Sequence, residues 1–549
     1  MVPIKADKMK LRVLIATIFF VQLAFGQIND KPKLIVGIVI DQMRAEYLYR
    51  FQDNYTQNGF KRLMHEGFNV KNMHYNYMPT ATGPGHASIY TGTTPANHGI
   101  VANDWYSKAK KAKMYCAADE TVFLTDGRKA SPKKIDKYSR SPKNLLGSTI
   151  TDELKLFTND RSKVVGISLK DRGAIFPAGR LADYAFWYHD QTGNFITSSY
   201  YHENLPDWLL KFNNRKLADS LLNLTWGTLK PIETYKNSGP DHAPMEKIFN
   251  GRTDAKFPYN LKKLRKANGN FAMIPNVPFG NTILTQLAKA TIQGEGLGQK
   301  DETDFLTISY SSTDYVGHGF GIRSKELEDT YVRMDQEIAE LLSFLDSEIG
   351  KDNYLLFMTA DHAASDHPDF LRTSKLPGKY FEEDSIKQLL NSKLSKLYGN
   401  EDYIAYIDKT QVYLNPVKTS REEVLKAAAA ILKTVDGIQE IYVSSLHSNR
   451  NLAIDDFFRK SHNLDNSGDI LLHFKPGWMP KRMEGTTHGA LYNNDTHVPM
   501  LWFGWQIKQG ATVKKKTIDQ IAPTLSFLLN IPLPSLSSKE PITEIFIGE

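Results

Sequence analysis

The sequence predicts an α/β fold of three layers, in which a mostly parallel central sheet is covered by helices on both faces and carries cap insertions. Two observations support this prediction. Four short runs of aliphatic and aromatic residues are continuous rather than alternating, which is typical of strands buried on both faces. Helical patterns lie between these runs, and strands that alternate with helices form mostly parallel sheets.

Each of the four predicted strands ends at polar residues. In chain order they are Leu34–Ile40 before Asp41, Val164–Leu169 before Lys170, Phe305–Tyr310 before Ser311, and Tyr354–Ala360 before Asp361. Sheets of this kind bind ligands at the carboxyl ends of their strands. The polar residues at these ends are therefore the first candidates for a functional site.

The sequence pattern supports two predicted helices more strongly than any others. Apolar residues recur along one helical face over Lys325–Ile349, and a second apolar pattern covers Ile518–Leu529. Helices of this kind would cover the faces of the sheet.

Two long stretches, 173–300 and 363–481, interrupt the alternation of strands and helices. The first contains a hairpin-like pair, Phe186–His189 and Asn194–Tyr201, around a turn at Gly193. The second is mixed and rich in Lys, Asn and Ser. We interpret both as insertions that border the site within a single catalytic domain of 27–549. Large α/β enzymes often consist of one domain enlarged by insertions of this kind.

The N-terminus has the features of a secretory signal over residues 1–26. Basic residues precede an apolar stretch, Val13–Phe25, and small residues allow cleavage before Gln27. The alternative is a retained anchor, but the stretch is short for a membrane span. We therefore expect a periplasmic or secreted protein without stable membrane association after cleavage, whose translation starts at Met1 or Met9.

Charge and cysteine content exclude several classes of function. The formal net charge of +7 across 549 residues is too mild to indicate a nucleic-acid partner. Cys116 is the only cysteine, so no intrachain disulfide can form and a thiolate nucleophile is not indicated. Any metal ligands must then be His, Asp or Glu.

Three carboxylates and three imidazoles follow the predicted strands or lie in a later loop: Asp41, Asp314, His318, Asp361, His362 and His488. Such a set could hold two Zn²⁺ ions, each with three protein ligands and one open position. Each residue alone is more often a helix cap or a solvated group. Asp366-His367 repeats the Asp-His pair, and we prefer Asp361-His362 because it directly follows a strand.

Thr82 is the candidate nucleophile. It precedes Gly83-Pro84 and a helix-like run, Gly85–Tyr90, so its hydroxyl would lie at a helix N-terminus that favours an anion. A hydroxyl beside zinc can lose its proton near neutral pH. The alternative is that Thr82 only caps the helix. We interpret His86, His98 and His497 either as groups that support the site residues from behind or as structural hydrogen-bonding groups.

Lys170, Arg172 and Asn103 are candidates for binding a phosphoryl group. Lys170 and Arg172 are two residues apart after a strand and can point the same way, and arginine can bind two phosphoryl oxygens. The Asn103 amide can donate to a third oxygen. These donors suit a terminal phosphoryl group better than a diester, although an exposed charged turn would also explain Lys170 and Arg172.

At these residues the sequence resembles the alkaline phosphatase superfamily, and it looks closest to the phosphate-irrepressible, PafA-type alkaline phosphatases, which are secreted bacterial monoesterases. The matching segments are Ile38–Arg44, Pro79–Ser88, Thr91–Pro95, Asn97–Ile100 with Asn103, Ser168–Ala174, Ser312–His318, Thr359–His362, Gly485–Gly489 and Asp519–Leu525. The resemblance extends from about Leu34 to Pro534, and it implies an alkaline-phosphatase-like αβα sandwich.

The resemblance also implies a role for each residue. One zinc would be held by Asp314, His318 and His488, and the other by Asp41, Asp361 and His362. Asn103, Lys170 and Arg172 would grip the phosphoryl oxygens while Thr82 forms a phosphothreonine. In PafA-type enzymes the Lys and Arg pair takes over part of the role of magnesium, so we expect two Zn²⁺ and no Mg²⁺ requirement.

Three rival interpretations remain at this point. A nucleotide pyrophosphatase or phosphodiesterase uses the same ligands but lacks the Lys and Arg pair. A sulfatase is disfavoured because Thr82-Gly83-Pro84 replaces its Cys or Ser motif. A non-catalytic metal- or phosphate-binding protein would be expected to lack a ligand or the nucleophile. The motifs do not identify the physiological ester, and we expect a monomer because no interface pattern is visible.

Overall fold

The structure is a computed structural model that describes residues 31–127, 138–447, 450–481 and 484–546. The predicted signal segment and both candidate start positions lie outside the described residues. Within the described part of the chain, none of the helices combines the length and apolar character needed to cross a membrane.

The centre of the molecule is a sheet of ten strands. In chain order the strands are β1 Leu34–Ile40, β2 Phe68–Val70, β3 Leu124–Thr125, β4 Val164–Ser168, β5 Tyr184–His189, β6 Asn194–Ser198, β7 Asp304–Tyr310, β8 Tyr354–Thr359, β9 Met500–Gly504 and β10 Gly510–Thr512. In space they are ordered β10-β2-β9-β8-β1-β7-β4-β5-β6-β3.

The middle of this sheet is parallel. β8, β1, β7, β4 and β5 pair in parallel, whereas β9 and β6 join its two sides in antiparallel orientation. On β1, Val39 pairs with Ser309 of β7 and with Thr359 of β8. The carboxyl ends of three neighbouring strands are therefore level with one another, which brings the residues that follow them together.

Helices cover both faces of the sheet. Ser309 and Tyr310 are neighbours on β7, so their side chains point to opposite faces. Ser309 hydrogen-bonds His86 on one face, and Tyr310 hydrogen-bonds Thr285 on the other. The helices in chain order are α1 Thr82–Thr91, α2 Ile150–Phe157, α3 Asp171–Ala178, α4 Phe279–Glu295, α5 Ser312–Phe320, α6 Lys325–Glu348 and α7 Ile521–Leu529.

The two helical layers have different members. α1, α2, α3 and α7 pack together on the His86 face, and the C-terminal α7 contacts α1 directly. α4, α5 and α6 pack together on the Thr285 face, with α6 burying the apolar residues predicted from its sequence pattern. The three-layer α/β architecture is thus confirmed.

The four strands predicted from sequence are all present, with ends that differ by no more than one residue. The predicted hairpin is also present, as β5 and β6. These strands lie in 173–300, yet they extend the central sheet rather than covering the site. The first part of this predicted insertion is therefore continuous with the core of the central sheet.

The stretch 363–481 contains a smaller α/β unit with its own apolar core. Its four-stranded sheet and two long helices are Ile404–Asp408, Gln411–Leu414, Ile438–Tyr442, Ile470–Phe474, Glu383–Tyr398 and Arg421–Leu432. Tyr406 and Tyr413 of this unit pack against Tyr106, which lies in a hairpin of Asp104–Ser107 and Ala112–Tyr115. This unit therefore contacts a hairpin that reaches the candidate site.

Shorter elements complete the described structure. The remaining strands are Met73–His74, Thr225–Trp226, Tyr259–Asn260, Lys379–Phe381, Trp478–Pro480, His497–Val498 and Lys516–Thr517. The remaining α-helices are Tyr47–Arg50, Phe60–Glu66, Pro95–His98, Asp207–Asn214, Leu217–Leu221, Leu261–Leu264, Pro368–Thr373, Ser444–His447, Ala453–Ser461 and Asn493–Thr496.

Candidate active site

The candidate site lies at the level carboxyl ends of β1, β7 and β8. Asp41 follows β1, and α5 begins just after β7 and presents Asp314 with His318 one turn later. Asp361 and His362 follow β8. A loop from the later part of the chain adds His488, whose ring stacks on His362 with centroids 3.6 Å apart. The structure therefore brings all six predicted ligands together.

Asp41, Asp361 and His362 form one cluster of potential ligand atoms, all within 4.8 Å of one another. His362 Nε2 lies 3.5 Å from Asp41 Oδ1 and 3.6 Å from Asp361 Oδ2. These three buried atoms have no hydrogen-bond partner among the described residues. Leaving such atoms unpartnered is costly, and a cation between them would satisfy all three. The donor set thus fits a metal ion.

Asp314 is the centre of a second cluster. Asp314, His362 and His488 offer ligand atoms within 4.8 Å, and His318 Nε2 lies 3.2 Å from Asp314 Oδ1. His488 Nε2 lies 3.9 Å from the same oxygen. His362 therefore borders both clusters, and the division of ligands between two ions is not decided by proximity alone.

The three imidazoles are oriented by the protein backbone. The Nδ1 atom of each lies within hydrogen-bond distance of a carbonyl oxygen: Thr486 at 2.7 Å for His318, Ala363 at 2.9 Å for His362, and Thr80 at 2.6 Å for His488. A carbonyl only accepts, so Nδ1 carries the proton and the Nε2 lone pair faces the cluster. Burial, together with the neighbouring imidazoles, also holds the pKa of His488 well below its usual value.

The carboxylates repel one another in this buried setting. Burial and the Asp361 carboxylate raise the pKa of Asp41 to about 7. A positive charge placed among these groups would reverse that effect, since it stabilises the ionised carboxylates. The electrostatics of the site therefore agree with its donor set in favouring cations.

Thr82 is the first residue of α1 and is 1% exposed. The capping position is Ala81, and within the described structure α1 has no side-chain cap. The Thr82 hydroxyl is therefore not used as a helix cap, which removes that alternative. Its Oγ1 lies 3.4 Å from Lys170 Nζ and 3.5 Å from Arg172 Nη2. A hydroxyl beside two cations, at the N-terminal end of a helix dipole, is suited to an anionic ligand.

Lys170 lies between the two clusters. Its Nζ donates to Asp41 Oδ2 and Asp314 Oδ2, each at 2.6 Å. Burial lowers the pKa of Lys170, but the carboxylates of Asp314 and Asp41 outweigh that effect and raise it above its usual value. Lys170 therefore remains an ammonium ion inside the protein.

Asn103 and Arg172 also reach the helix start. Asn103 Oδ1 accepts the Gly83 N–H at 2.7 Å, so its amide N–H₂ is the group left for a ligand. Arg172 Nη1 donates to the Tyr115 hydroxyl at 3.1 Å. Tyr115 in turn donates to Asp171, which also accepts a hydrogen bond of 2.8 Å from Arg140. The three predicted phosphoryl-binding side chains thus lie with Thr82 around the start of α1.

The second Asp-His pair lies outside both clusters. Asp366 accepts a hydrogen bond of 2.8 Å from Arg323 and lies 3.8 Å from Arg44. His367 caps the short helix Pro368–Thr373 through the Asp369 N–H. The structure therefore favours Asp361-His362 over Asp366-His367 as the pair at the site.

The other three histidines have hydrogen-bonding positions around the site or away from it. His86 bonds Ser309 and the Thr82 carbonyl, and His98 bonds Ser88. His497 bonds the Lys71 carbonyl. Burial lowers the pKa of His86 to about 4 and that of His98 to about 3, so both stay neutral. Each of the three thus makes a hydrogen bond within the protein, in agreement with the sequence-based interpretation.

Two residues at the site were missed in the sequence analysis. Tyr115 contacts Arg172, and Gln42 contacts two of the predicted metal ligands. Gln42 is adjacent to Asp41 in sequence, which was a usable signal. Tyr115 lies far from Arg172 along the chain, and no local pattern predicts their contact.

Comparison with known proteins agrees with this geometry. A family model described as type I phosphodiesterase / nucleotide pyrophosphatase matches residues 35–499. Alkaline phosphatase PafA of Elizabethkingia meningoseptica is 41% identical over 529 residues, covering 94% of each chain. A Myroides odoratus protein named calcium-transporting ATPase is 42% identical and covers 94% of this chain and 95% of its own.

Solved structures show the same relationship. The crystal structure of PafA superposes with a TM-score of 0.90 at 40% identity, covering 94% of this chain and 99% of that one. A variant of PafA has also been solved, in which a threonine, an asparagine, a lysine and an arginine are replaced. The chain therefore belongs to the type I phosphodiesterase / nucleotide pyrophosphatase family of the alkaline phosphatase superfamily, within its PafA-type branch, and is a phosphoric monoester hydrolase.

Proposed function

We propose that the protein hydrolyses phosphate monoesters by a two-zinc mechanism through a phosphothreonine on Thr82. The observation that carries this proposal is the position of Thr82 Oγ1, within 3.5 Å of both Lys170 and Arg172 and beside two clusters of carboxylates and imidazoles. This arrangement places a hydroxyl nucleophile, phosphoryl-binding cations and metal ligands around one point.

The metal ligands are proposed from the resemblance to PafA-type enzymes. Asp314, His318 and His488 would hold one zinc, and Asp41, Asp361 and His362 would hold the other. Bound zinc would supply charge stabilisation to the attacking and leaving oxygens and would lower the pKa of a bound hydroxyl or water. We propose no magnesium requirement, because Lys170 already puts a positive charge next to Asp41 and Asp314.

The side chains of the protein bind and orient the phosphoryl group. Arg172 presents a guanidinium fork, and its buried Nε has no hydrogen-bond partner among the described residues. Asn103 offers its amide N–H₂ and Lys170 its ammonium group. Three such donors match the three non-bridging oxygens of a monoester, whereas a diester has only two. This count supports monoesters as the substrate class.

The reaction would proceed in two displacements. The Thr82 hydroxyl gives up its proton to solvent, its oxygen forms a bond to phosphorus as the bond from phosphorus to the ester oxygen breaks, and the leaving alkoxide takes up a proton from solvent. Water then gives up a proton as it attacks the same phosphorus, the bond to Thr82 breaks, and the threonine oxygen regains a proton. Each step inverts phosphorus, so the overall result is retention and release of inorganic phosphate.

The solved PafA variant supports the choice of residues. The four residue types replaced in it are those proposed here for the nucleophile and the phosphoryl contacts. The separation between its threonine and asparagine equals that between Thr82 and Asn103, and its lysine and arginine are spaced as Lys170 and Arg172 are. We propose that these residues have equivalent positions in the two enzymes.

The test compares p-nitrophenyl phosphate with its methyl diester, using purified protein with zinc and a Thr82→Ala variant. We expect a strong monoester preference, and we expect Thr82→Ala to abolish the activity. A diester preference would instead favour the phosphodiesterase alternative. Zinc retention without turnover of either ester would favour a non-catalytic binding protein.

ATP should be included in the substrate panel because one relative is named as an ATPase. ATP carries a terminal phosphoryl group, which the same three donors could bind.

We also propose that the protein acts as a monomer outside the cytoplasm, in agreement with its predicted signal segment. Size measurement and fractionation of producing cells would test these two points.

A further inference from the structure

Gln42 has a strained backbone conformation inside the site. It is 2% exposed and has a φ of 67°, in the left-handed region. This region is sterically unfavourable for a residue with a Cβ atom. Such strain persists only where surrounding contacts impose it, so the contacts of Gln42 indicate what the strain achieves.

Those contacts join the two ligand clusters. The Gln42 backbone N–H donates to Asp361 Oδ1 at 3.2 Å, and its side-chain Nε2 donates to Asp314 Oδ1 at 2.5 Å. Asp361 belongs to the cluster with Asp41, and Asp314 belongs to the cluster with His488. One residue thus orients a carboxylate in each cluster, one through its backbone and one through its side chain.

Gly317 makes room for this side chain. It lies on α5, three residues after Asp314 and next to His318. A Cβ atom at this position would lie 2.0 Å from Gln42 Oε1 and 3.0 Å from its Cδ. The φ of Gly317 is not in the positive range, so the consequence of a Cβ atom here would be displacement of the Gln42 amide from its present position.

We propose that Gln42 is a positioning residue for both metal sites and that Gly317 keeps its amide in place. This inference rests on the proposed two-zinc function. The Gln42 amide fixes Asp314, while the left-handed backbone aims the Gln42 N–H at Asp361. The two effects are separable, because only the first needs a side chain.

The test uses Gln42→Gly and Gly317→Ala. Glycine relieves the strain and keeps the backbone N–H, so Gln42→Gly should fold while losing only the hydrogen bond to Asp314. Gly317→Ala should break the same hydrogen bond, because the added Cβ atom displaces the Gln42 amide. Zinc affinity at the Asp314 site should fall about 10–100-fold in either variant, as for other partners of metal ligands. Affinity at the Asp361 site should remain unchanged.

Zinc content would be measured across a series of buffered free zinc concentrations. Anomalous X-ray scattering from crystals at limiting zinc would assign each loss to a site. Both substitutions break the same hydrogen bond, so their effects should not add. The double variant should therefore bind zinc as tightly as the single variant that has the lower zinc affinity.

The outcomes separate this inference from the proposed function. If the wild type has two zinc sites and their affinities are unchanged in Gln42→Gly, the role of Gln42 is overturned but the proposed function is not. Equal loss at both sites would also overturn it, since it would indicate a general structural effect. A wild type that binds no zinc at Asp314 would overturn the proposed function and this inference together.

Discussion

Arg172 is held in place by a residue that comes from elsewhere in the chain. The Tyr115 hydroxyl accepts a hydrogen bond from Arg172 and donates one to Asp171, and the Arg140 guanidinium lies over the Tyr115 ring at 4.5 Å. Tyr115 and Asn103 lie at the base of the same hairpin, which the Cys116 N–H closes by bonding the Asn103 carbonyl. Each strand of this hairpin therefore brings one residue to the proposed phosphoryl-binding groups.

We predict that Tyr115→Phe lowers kcat/KM for a phosphate monoester by about 10–100-fold, because hydrogen bonds to charged groups contribute about 1.5–3 kcal/mol. The methyl diester should be affected less, since it has one fewer oxygen for Arg172 to bind. In an Arg172→Ala background the same change should have little further effect. Tyr106→Phe, on the same hairpin, is the matched control and should be close to the wild type.

Residue-scale features differ in how far the sequence predicts them. Asp41, Asp361 and His362 directly follow buried strands, so their position at the site was predictable. The contacts of Tyr115 and Gln42 depend on neighbours far away in the chain, which no local pattern encodes. The strained backbone of Gln42 was also hidden, because glutamine is not a residue that predicts a positive φ.

At the scale of elements, the start of α1 packs against the end of β8. A Cβ atom at Gly85 would lie 2.1 Å from the Asp361 carbonyl oxygen and 2.9 Å from its Cα. Both neighbours are backbone atoms, which cannot move aside as a flexible side chain can. The helix that carries the proposed nucleophile is therefore in direct contact with a loop that carries two proposed metal ligands.

We expect Gly85→Ala to move the start of α1 and with it Thr82. A displacement of about 1 Å can cost about 100-fold in rate, so kcat should fall by that order. Gly319→Ala is the control, since its Cβ would meet only the Lys247 side chain, at 3.3 Å. A Gly85→Ala enzyme with wild-type kcat would show that the contact is not needed for alignment.

Element boundaries were predicted well where strands are buried on both faces. β1 covers Leu34–Ile40 as predicted, and β8 ends one residue before the predicted end. The hairpin of β5 and β6 was predicted, but its membership of the central sheet was not. Sheet order depends on pairing between distant segments, so an apolar run alone cannot distinguish a central strand from one in an insertion.

Over the whole molecule, metal binding and folding should be strongly coupled. Several buried carboxylates and imidazoles come together from four separate parts of the chain. Metal present at about 1,000 times its dissociation constant would stabilise the folded state by about 4 kcal/mol per site. We therefore expect a chelator to lower the Tm clearly in calorimetry, and added zinc to restore it.

An Asp361→Asn variant would test the electrostatic origin of this coupling. It removes one of two mutually repelling carboxylates, so the variant should be more stable than the wild type in chelator and less stable in zinc. The expected result is that the difference in stability between the variant and the wild type changes sign between chelator and zinc. Lower stability under both conditions would indicate that Asp361 contributes mainly through packing.

The contact of α7 with α1 has a consequence for the order of events during synthesis. α7 comes near the C-terminus, and Asp519 just before it accepts a hydrogen bond of 3.1 Å from Asn76, close to Thr82 in sequence. The helix that carries Thr82 thus stays partly uncovered until α7 has emerged from the ribosome. Since the proposed ligand His488 is also synthesised long after Thr82, a nascent chain that stops before α7 would have little ability to cleave esters.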